Sequence, residues 1–246
     1  MAAPATATAV VVDDVHKHFR LRHTHSLKES LVWLAQRRRL RDEFAALSGV
    51  GFEVRQGEAV ALLGHNGSGK STLLKLMAGV MAPDTGRVGV RGRVAGLLEV
   101  GAGLHPDLTG RENIFLNAAI LGLEQDEIRA RFDDIVAFAD IGPFLDAQVR
   151  FYSSGMFLRL AFAVAVHTEP DVFLVDEILA VGDEPFRRKC LERIRLLSAQ
   201  GRTLVIVSHD VDLVAGLCSR GIVLSGGRLV HDGAIDEAVS ALRTSW

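Results

Sequence analysis

Ala59-Val60-Ala61-Leu62-Leu63 runs directly into Gly64-His65-Asn66-Gly67-Ser68-Gly69-Lys70-Ser71, and Thr72-Leu73-Leu74 follows. The first run is wholly apolar and short, which predicts a buried strand. The second fits the pattern Gly-x-x-x-x-Gly-Lys-Ser/Thr, whose glycines let backbone N–H groups turn inward around a phosphate. The third opens a helix over residues 71–81, ended by Pro83-Asp84. A helix N-terminus adds partial positive charge at the phosphate. Lys70 can neutralise the β- and γ-phosphates, and the Ser71 hydroxyl can ligate Mg²⁺. Four fixed positions at average residue usage match by chance in on the order of one per cent of chains this long. The strand–loop–helix setting lowers that further. The pattern specifies nucleotide binding without choosing among NTPases.

Outward from this stretch, strands and helices alternate. Residues 9–12, 52–55, 172–175 and 203–207 read as strands, 172–175 fully apolar and 203–207 a second buried one. Residues 109–121, 125–138, 153–167 and 185–199 read as helices. The tail holds a hairpin about Gly226-Gly227 and a last helix over 235–242. Buried strands alternating with helices predict an α/β fold with a mainly parallel sheet, into which the helices of 109–167 are inserted.

Two acidic residues, Asp176 and Glu177, end the apolar run 172–175. Ligands of open α/β sheets lie beyond the carboxyl ends of the strands. There Asp176 can hold Mg²⁺, and Glu177 can orient or deprotonate an attacking water. An apolar run ending in Asp-Glu is by itself more often a strand meeting solvent; the phosphate loop changes its weight. Ser208-His209-Asp210 follows the next strand, where His209 can reach a γ-phosphate. Tyr152-Ser153-Ser154-Gly155-Met156 opens a helix, which alone reads as an N-cap.

Composition sets limits on the rest. A formal net charge of −2 supplies no global attraction to nucleic acid or anionic lipid. No segment approaches the ~20 apolar residues a membrane-spanning helix needs. The first nine residues lack the features of a secretory signal. Cys190 and Cys218 have no metal-ligand spacing and read as buried thiols in a reducing compartment. A cytoplasmic protein is expected, peripheral to any membrane it serves.

The ordered set of phosphate loop, Ser-Ser-Gly helix start, Asp176-Glu177 strand and His209 resembles the nucleotide-binding domain of ABC transporters, over nearly the whole chain. The resemblance implies one ABC-type P-loop NTPase domain over residues 1–246. It would have a mainly parallel core sheet, an antiparallel β subdomain and an α-helical subdomain near residues 100–168. ATP and Mg²⁺ are the implied cofactors. Gly64, His65, Asn66, Gly67, Ser68, Gly69, Lys70, Ser71 and Thr72 would bind ATP. Lys70, Glu177 and His209 would carry turnover, and Ser71 and Asp176 would hold the metal. The family pairs two subunits head-to-tail, so Ser153, Ser154, Gly155 and Met156 would meet the partner's ATP. Asp183 would lie in the loop linking the two sites.

Three stretches resemble one branch, the ATPases that export lipid-linked polysaccharides: residues 98–106 with 108–113, Tyr152-Ser153-Ser154-Gly155-Met156, and residues 176–183 with Lys189-Cys190. That implies export of an O-antigen, teichoic acid, capsule or cell-wall galactan on a polyprenyl pyrophosphate. The implied partners are a second copy of the chain and a separate integral-membrane permease, at the cytoplasmic face of the plasma membrane, with no nucleic acid. No C-terminal carbohydrate-binding domain is expected. Two positions depart from the family. Glu99 or Val100 stands where most members carry glutamine, so Glu99 is the replacement candidate for the metal or its water. The adenine-stacking aromatic, often tyrosine, falls to Phe19, with Phe44 second. Residues 23–43 form an insert whose Leu27, Leu31 and Leu34 recur at helical spacing beside Arg37, Arg38 and Arg39, as an amphipathic helix on lipid or permease would. The alternatives are an ABC ATPase for another cargo, or a soluble one acting on DNA or ribosomes.

Overall fold

The computed structural model describes residues 7–22, 41–96, 103–176, 183–208 and 210–244. Among these described residues, nine strands fall into two sheets. Strands β1 (Thr8–Arg22), β2 (Arg41–Arg55) and β4 (Thr85–Val90) form an antiparallel sheet in the order β2-β1-β4. The other six run β5-β6-β7-β3-β8-β9, where β5 is Val94–Gly96, β6 Val172–Val175, β7 Thr203–Val207, β3 Ala59–Leu63, β8 Arg220–Ser225 and β9 Arg228–Ala234. All pairings in this sheet are parallel except β8–β9, which the Gly226-Gly227 turn joins as a hairpin.

The interior strands are apolar on both faces because both faces are covered. Ala61, Leu63, Phe173, Val175, Leu204 and Ile206 point to a helical layer of α2 (Gly110–Ile120), α3 (Gln125–Ala139), α4 (Ser154–His167), α5 (Glu184–Ala199), α6 (Val211–Leu217) and α7 (Ile235–Thr244). The alternate residues Val60, Leu62, Val172, Leu174, Val205 and Val207 pack with α1 (Lys70–Met77) and the antiparallel sheet. Fully burying one such side chain contributes about 1.5–3 kcal/mol before chain entropy is counted. Among the described residues no helix is long and apolar enough to cross a membrane.

Local chemistry sets the helix ends. Helix α1 stops short of the expected residue 81, because Gly79 adopts φ 72°. Its N–H donates to the Leu76 carbonyl, and Val80 N–H donates to Lys75, a left-handed cap that closes the last turn. Thr109 and Glu112 form a capping box at the start of α2. Ser153, Asp183 and Asp210 each cap a helix by accepting a hydrogen bond from a backbone N–H, starting α4, α5 and α6 respectively. Helices α2, α3 and α4 pack on one another within the expected helical stretch. The expected amphipathic helix of the insert lies outside the described residues, apart from residues 41–43, which belong to β2.

One guanidinium braces the two sheets. Arg220 on β8 donates through Nε and Nη2 to Asp232 on β9 at 2.6 and 2.8 Å. Its Nη1 reaches the Glu53 carbonyl of β2 and the Glu58 carboxylate, both at 3.0 Å. These bonds to the carboxylates hold the Arg220 pKa above its usual value.

Candidate nucleotide site

The loop between β3 and α1 lies at the carboxyl edge of the parallel sheet, where strand carbonyls end and a helix begins. Lys70 is buried, and its ammonium donates to the carbonyls of Gly64 at 2.7 Å and His65 at 3.1 Å, so its charge folds the loop around itself. Gly69 precedes the helix at φ 106°. A Cβ there would stand 2.7 Å from both the Ala46 carbonyl oxygen and the Leu47 side chain. Only glycine lets β2 close down on the loop at that point. Main-chain bonds hold the third side: Gly227 N–H donates to the Ser68 carbonyl at 3.1 Å, and Ser48 N–H donates to the Gly227 carbonyl at 2.8 Å.

These contacts frame a cavity of about 360 Å³ lined by Asn66, Gly67, Ser68, Gly69, Lys70, Ser71 and Thr72, by Asp176 at the end of β6, and by Phe44 and Ala46 of β2. A Cβ added at Gly67 would meet nothing within 4 Å, so the loop backbone faces open space. Ser68 Oγ is buried with no hydrogen-bond partner among the described residues. A cradle of backbone and hydroxyl donors with a buried cation suits a polyphosphate. Ser71, exposed on the first turn of α1, and Asp176 face the same cavity and supply hard oxygen ligands, so the donor set fits Mg²⁺.

The aromatic wall comes from β2. Phe19 and Phe44 are directly paired across β1 and β2 and share a face of the sheet. Phe44 lines the cavity and is 48% exposed. Phe19 does not line it, and lies 5.9 Å from the Lys17 ammonium. Of the two aromatics weighed for adenine stacking, Phe44 is the one that lines the cavity. Ala46 joins the lining with no sequence signal of its own.

The candidates expected to face the partner subunit, Ser153, Ser154, Gly155, Met156 and Asp183, do not line this cavity. Ser153 and Ser154 are exposed at the start of α4, with Gly155 and Met156 half-buried on its first turn. Tyr152 anchors that start: its hydroxyl donates to the Phe144 carbonyl at 2.9 Å, over Gly110, where a Cβ would collide with the ring oxygen. Asp183 caps α5 and receives a 2.7 Å bond from Arg159 of α4. Glu177, His209 and Glu99 lie outside the described residues; their neighbours Asp176, Ser208 and Asp210 are placed at the carboxyl ends of β6 and β7. Burial pushes the thiols of Cys190 and Cys218 up to about 12, so both are inert at neutral pH.

The chain is 44% identical over 247 residues to the O-antigen export system ATP-binding protein RfbB of Myxococcus xanthus, covering 98% of this chain and 56% of that protein. It is 41% identical over 240 residues to the teichoic acids export ATP-binding protein TagH of Levilactobacillus brevis, covering 93% and 66%. It thus spans between half and two thirds of the length of these relatives. Among solved structures, the ATP-binding subunit of an ABC transporter superposes with a TM-score of 0.75 at 25% identity, over 96% of this chain and 95% of the other. Residues 47–180 match the family described as ABC transporter, a span that contains the phosphate loop, Asp176 and the start of α4, and the chain belongs to that family.

Proposed function

We propose that the chain binds and hydrolyses ATP to power export of a polyprenyl-pyrophosphate-linked polysaccharide through a separate membrane permease. The observation that carries the ATPase half is the single cavity gathering Asn66–Thr72, Asp176 and Phe44. The cargo half is supported by the export systems named for the two relatives, one for O-antigen and one for teichoic acids.

In this reading adenine stacks on Phe44 and the triphosphate runs along the loop to Lys70. Ser71 and Asp176 hold Mg²⁺, which supplies charge neutralisation on the phosphates when bound. Lys70 leaves the Gly64 and His65 carbonyls for phosphate oxygens. Glu177 holds the attacking water in line, and His209 steadies it against the γ-phosphate. Rate then comes from positioning and charge stabilisation, with no covalent intermediate on the chain. Two copies pair head-to-tail, Ser153, Ser154, Gly155 and Met156 of each completing the other's site, at the cytoplasmic face of the plasma membrane. The whole chain acts as one nucleotide-binding domain, with residues 23–43 as its contact to lipid or permease and Glu99 in place of the usual glutamine.

Two experiments test it. Glu177→Gln is expected to bind ATP, form a stable dimer and lose nearly all turnover; retained hydrolysis would show that another group handles the water. Depletion in the host, followed by mass spectrometry of polyprenyl-linked glycans, is expected to show one full-length glycan accumulating as its surface form falls. An unchanged pool would remove the polysaccharide cargo and leave the ATPase.

A further inference from the structure

We infer that Arg159 is a positioning residue for turnover, fixing the distance between the Ser153-Ser154-Gly155 helix start and Asp183. The inference rests on the ATPase reading above, in which both groups serve the facing subunit's nucleotide.

Arg159 lies on α4 two turns beyond its cap, and its side chain is 22% exposed. Its Nη2 donates to Asp183 Oδ2 at 2.7 Å and its Nη1 to Asp140 Oδ2 at 3.3 Å. Its guanidinium also lies over the Phe186 ring, 5.2 Å from the centroid. Asp183 has no slack of its own, because its other oxygen accepts from Phe186 N–H at 3.2 Å as the cap of α5. One carboxylate therefore starts a helix and takes a charge-assisted bond from a neighbouring helix at the same time.

The head of α5 is held to the helical layer at further points. Lys189 Nζ donates to the last carbonyls of α3, Ala137 at 3.1 Å and Phe138 at 3.0 Å. Phe138, Phe162 and Phe186, one from each of α3, α4 and α5, meet with centroids 5.8–6.0 Å apart. On the outer side Arg187 reaches Asp210, the cap of α6 and the residue after His209, at 3.4 Å. Helix α5 is thus a crossbar whose head follows α4, and whose next turn touches the segment beyond β7. The polar link at its head is Arg159. Without it the aromatic cluster and the polar bonds of Lys189 and Arg193 still hold α5 to the helical layer, but among the described residues the direct bond from α4 to Asp183 is lost. Two groups that act on one substrate lose rate steeply when their spacing slips by an ångström.

The test is steady-state ATP hydrolysis by the purified full chain, for wild type, Arg159→Met, Arg159→Lys, Asp183→Asn and the Arg159→Met/Asp183→Asn double variant, with a melting curve for each. Methionine keeps the stem over Phe186 and removes the charge. It is expected to lower kcat roughly tenfold to a hundredfold while KM for ATP stays within about twofold, since the chain's own cavity is untouched. Lysine is expected to recover part of that loss, and the double variant to be no slower than the slower single one, as for groups acting as a unit. Wild-type kcat in Arg159→Met, losses that multiply in the double variant, or a kcat loss that tracks the melting temperature with no rescue by lysine would each overturn the inference. A wild-type chain without ATP turnover would sink the ATPase reading itself and this inference with it.

Discussion

Gly226 and Gly227 form the β8–β9 turn, both in the left-handed region at φ 54° and 75°. They offer a matched pair. A Cβ at Gly226 meets nothing within 4 Å, so Gly226→Ala pays only for its backbone conformation, about 1–2 kcal/mol. At Gly227 the same Cβ would lie 2.7 Å from the Ala46 carbonyl oxygen and 3.3 Å from Leu47 Cα, backbone that cannot rotate away. The strand must move, loosening the bonds from Gly227 N–H to Ser68 and from Ser48 N–H to Gly227, at about 1 kcal/mol each. The total for Gly227→Ala is about 3–4 kcal/mol. At roughly 2–4 °C per kcal/mol for a chain of this size, that lowers Tm by about 6–16 °C, against about 2–8 °C for Gly226→Ala. Because Ser68 and Ala46 line the nucleotide cavity, only Gly227→Ala is expected to weaken ATP binding as well. Differential scanning fluorimetry with and without ATP reads both effects. Equal Tm losses, or ATP binding unchanged in Gly227→Ala, would refute the view that this turn clamps the loop.

Phe44→Ala is expected to weaken ATP binding about tenfold through loss of stacking, and Phe19→Ala by less than threefold; titration with a fluorescent nucleotide separates them. Burial holds the His167 imidazole below its usual pKa, largely through lost solvation, so the folded chain resists a proton that the unfolded chain accepts. Stability contributed by neutral His167 is therefore complete above about pH 6.5 and declines as the pH falls toward its folded value. His167→Gln is expected to narrow the Tm difference between about pH 7 and 5.5, a window above the range where carboxylates titrate. Cys190 and Cys218 are expected to resist alkylation in the native chain and to react once it unfolds, as mass spectrometry after a pulse of reagent will show.

The parts legible in the sequence are those whose pattern is local. Ala59–Leu63 and Val172–Val175 are apolar throughout, and Thr203–Val207 is apolar after Thr203, so their place inside a parallel sheet follows without a partner being known. The phosphate loop and the cap at Ser153 are likewise contained within a few residues. Which of Phe19 and Phe44 lines the cavity depends on register, and β1 and β2 pair through four irregularities between Thr8 and His18. Helix α1 looked longer than it is, since the apolar spacing continues to Met81 while Gly79 ends the helix. Helix α6 is short and carries little periodic signal, so Val211–Leu217 reads as connection. The Arg159–Asp183 bond joins residues 24 apart on different helices and leaves no mark in either segment.

Lys70 has partners within its own loop. With its ammonium held by the Gly64 and His65 carbonyls, the loop has a partner for its buried charge whether or not phosphate is present. Arrival of a nucleotide is then an exchange of oxygen for oxygen at one nitrogen, and the net gain is the difference between two satisfied arrangements. Departure is the same exchange run backward, with the loop returning to a shape it already holds. An engine that must let go of its spent fuel on every stroke is served by that near-balance, because a lysine left bare between strokes would grip the product as hard as the substrate.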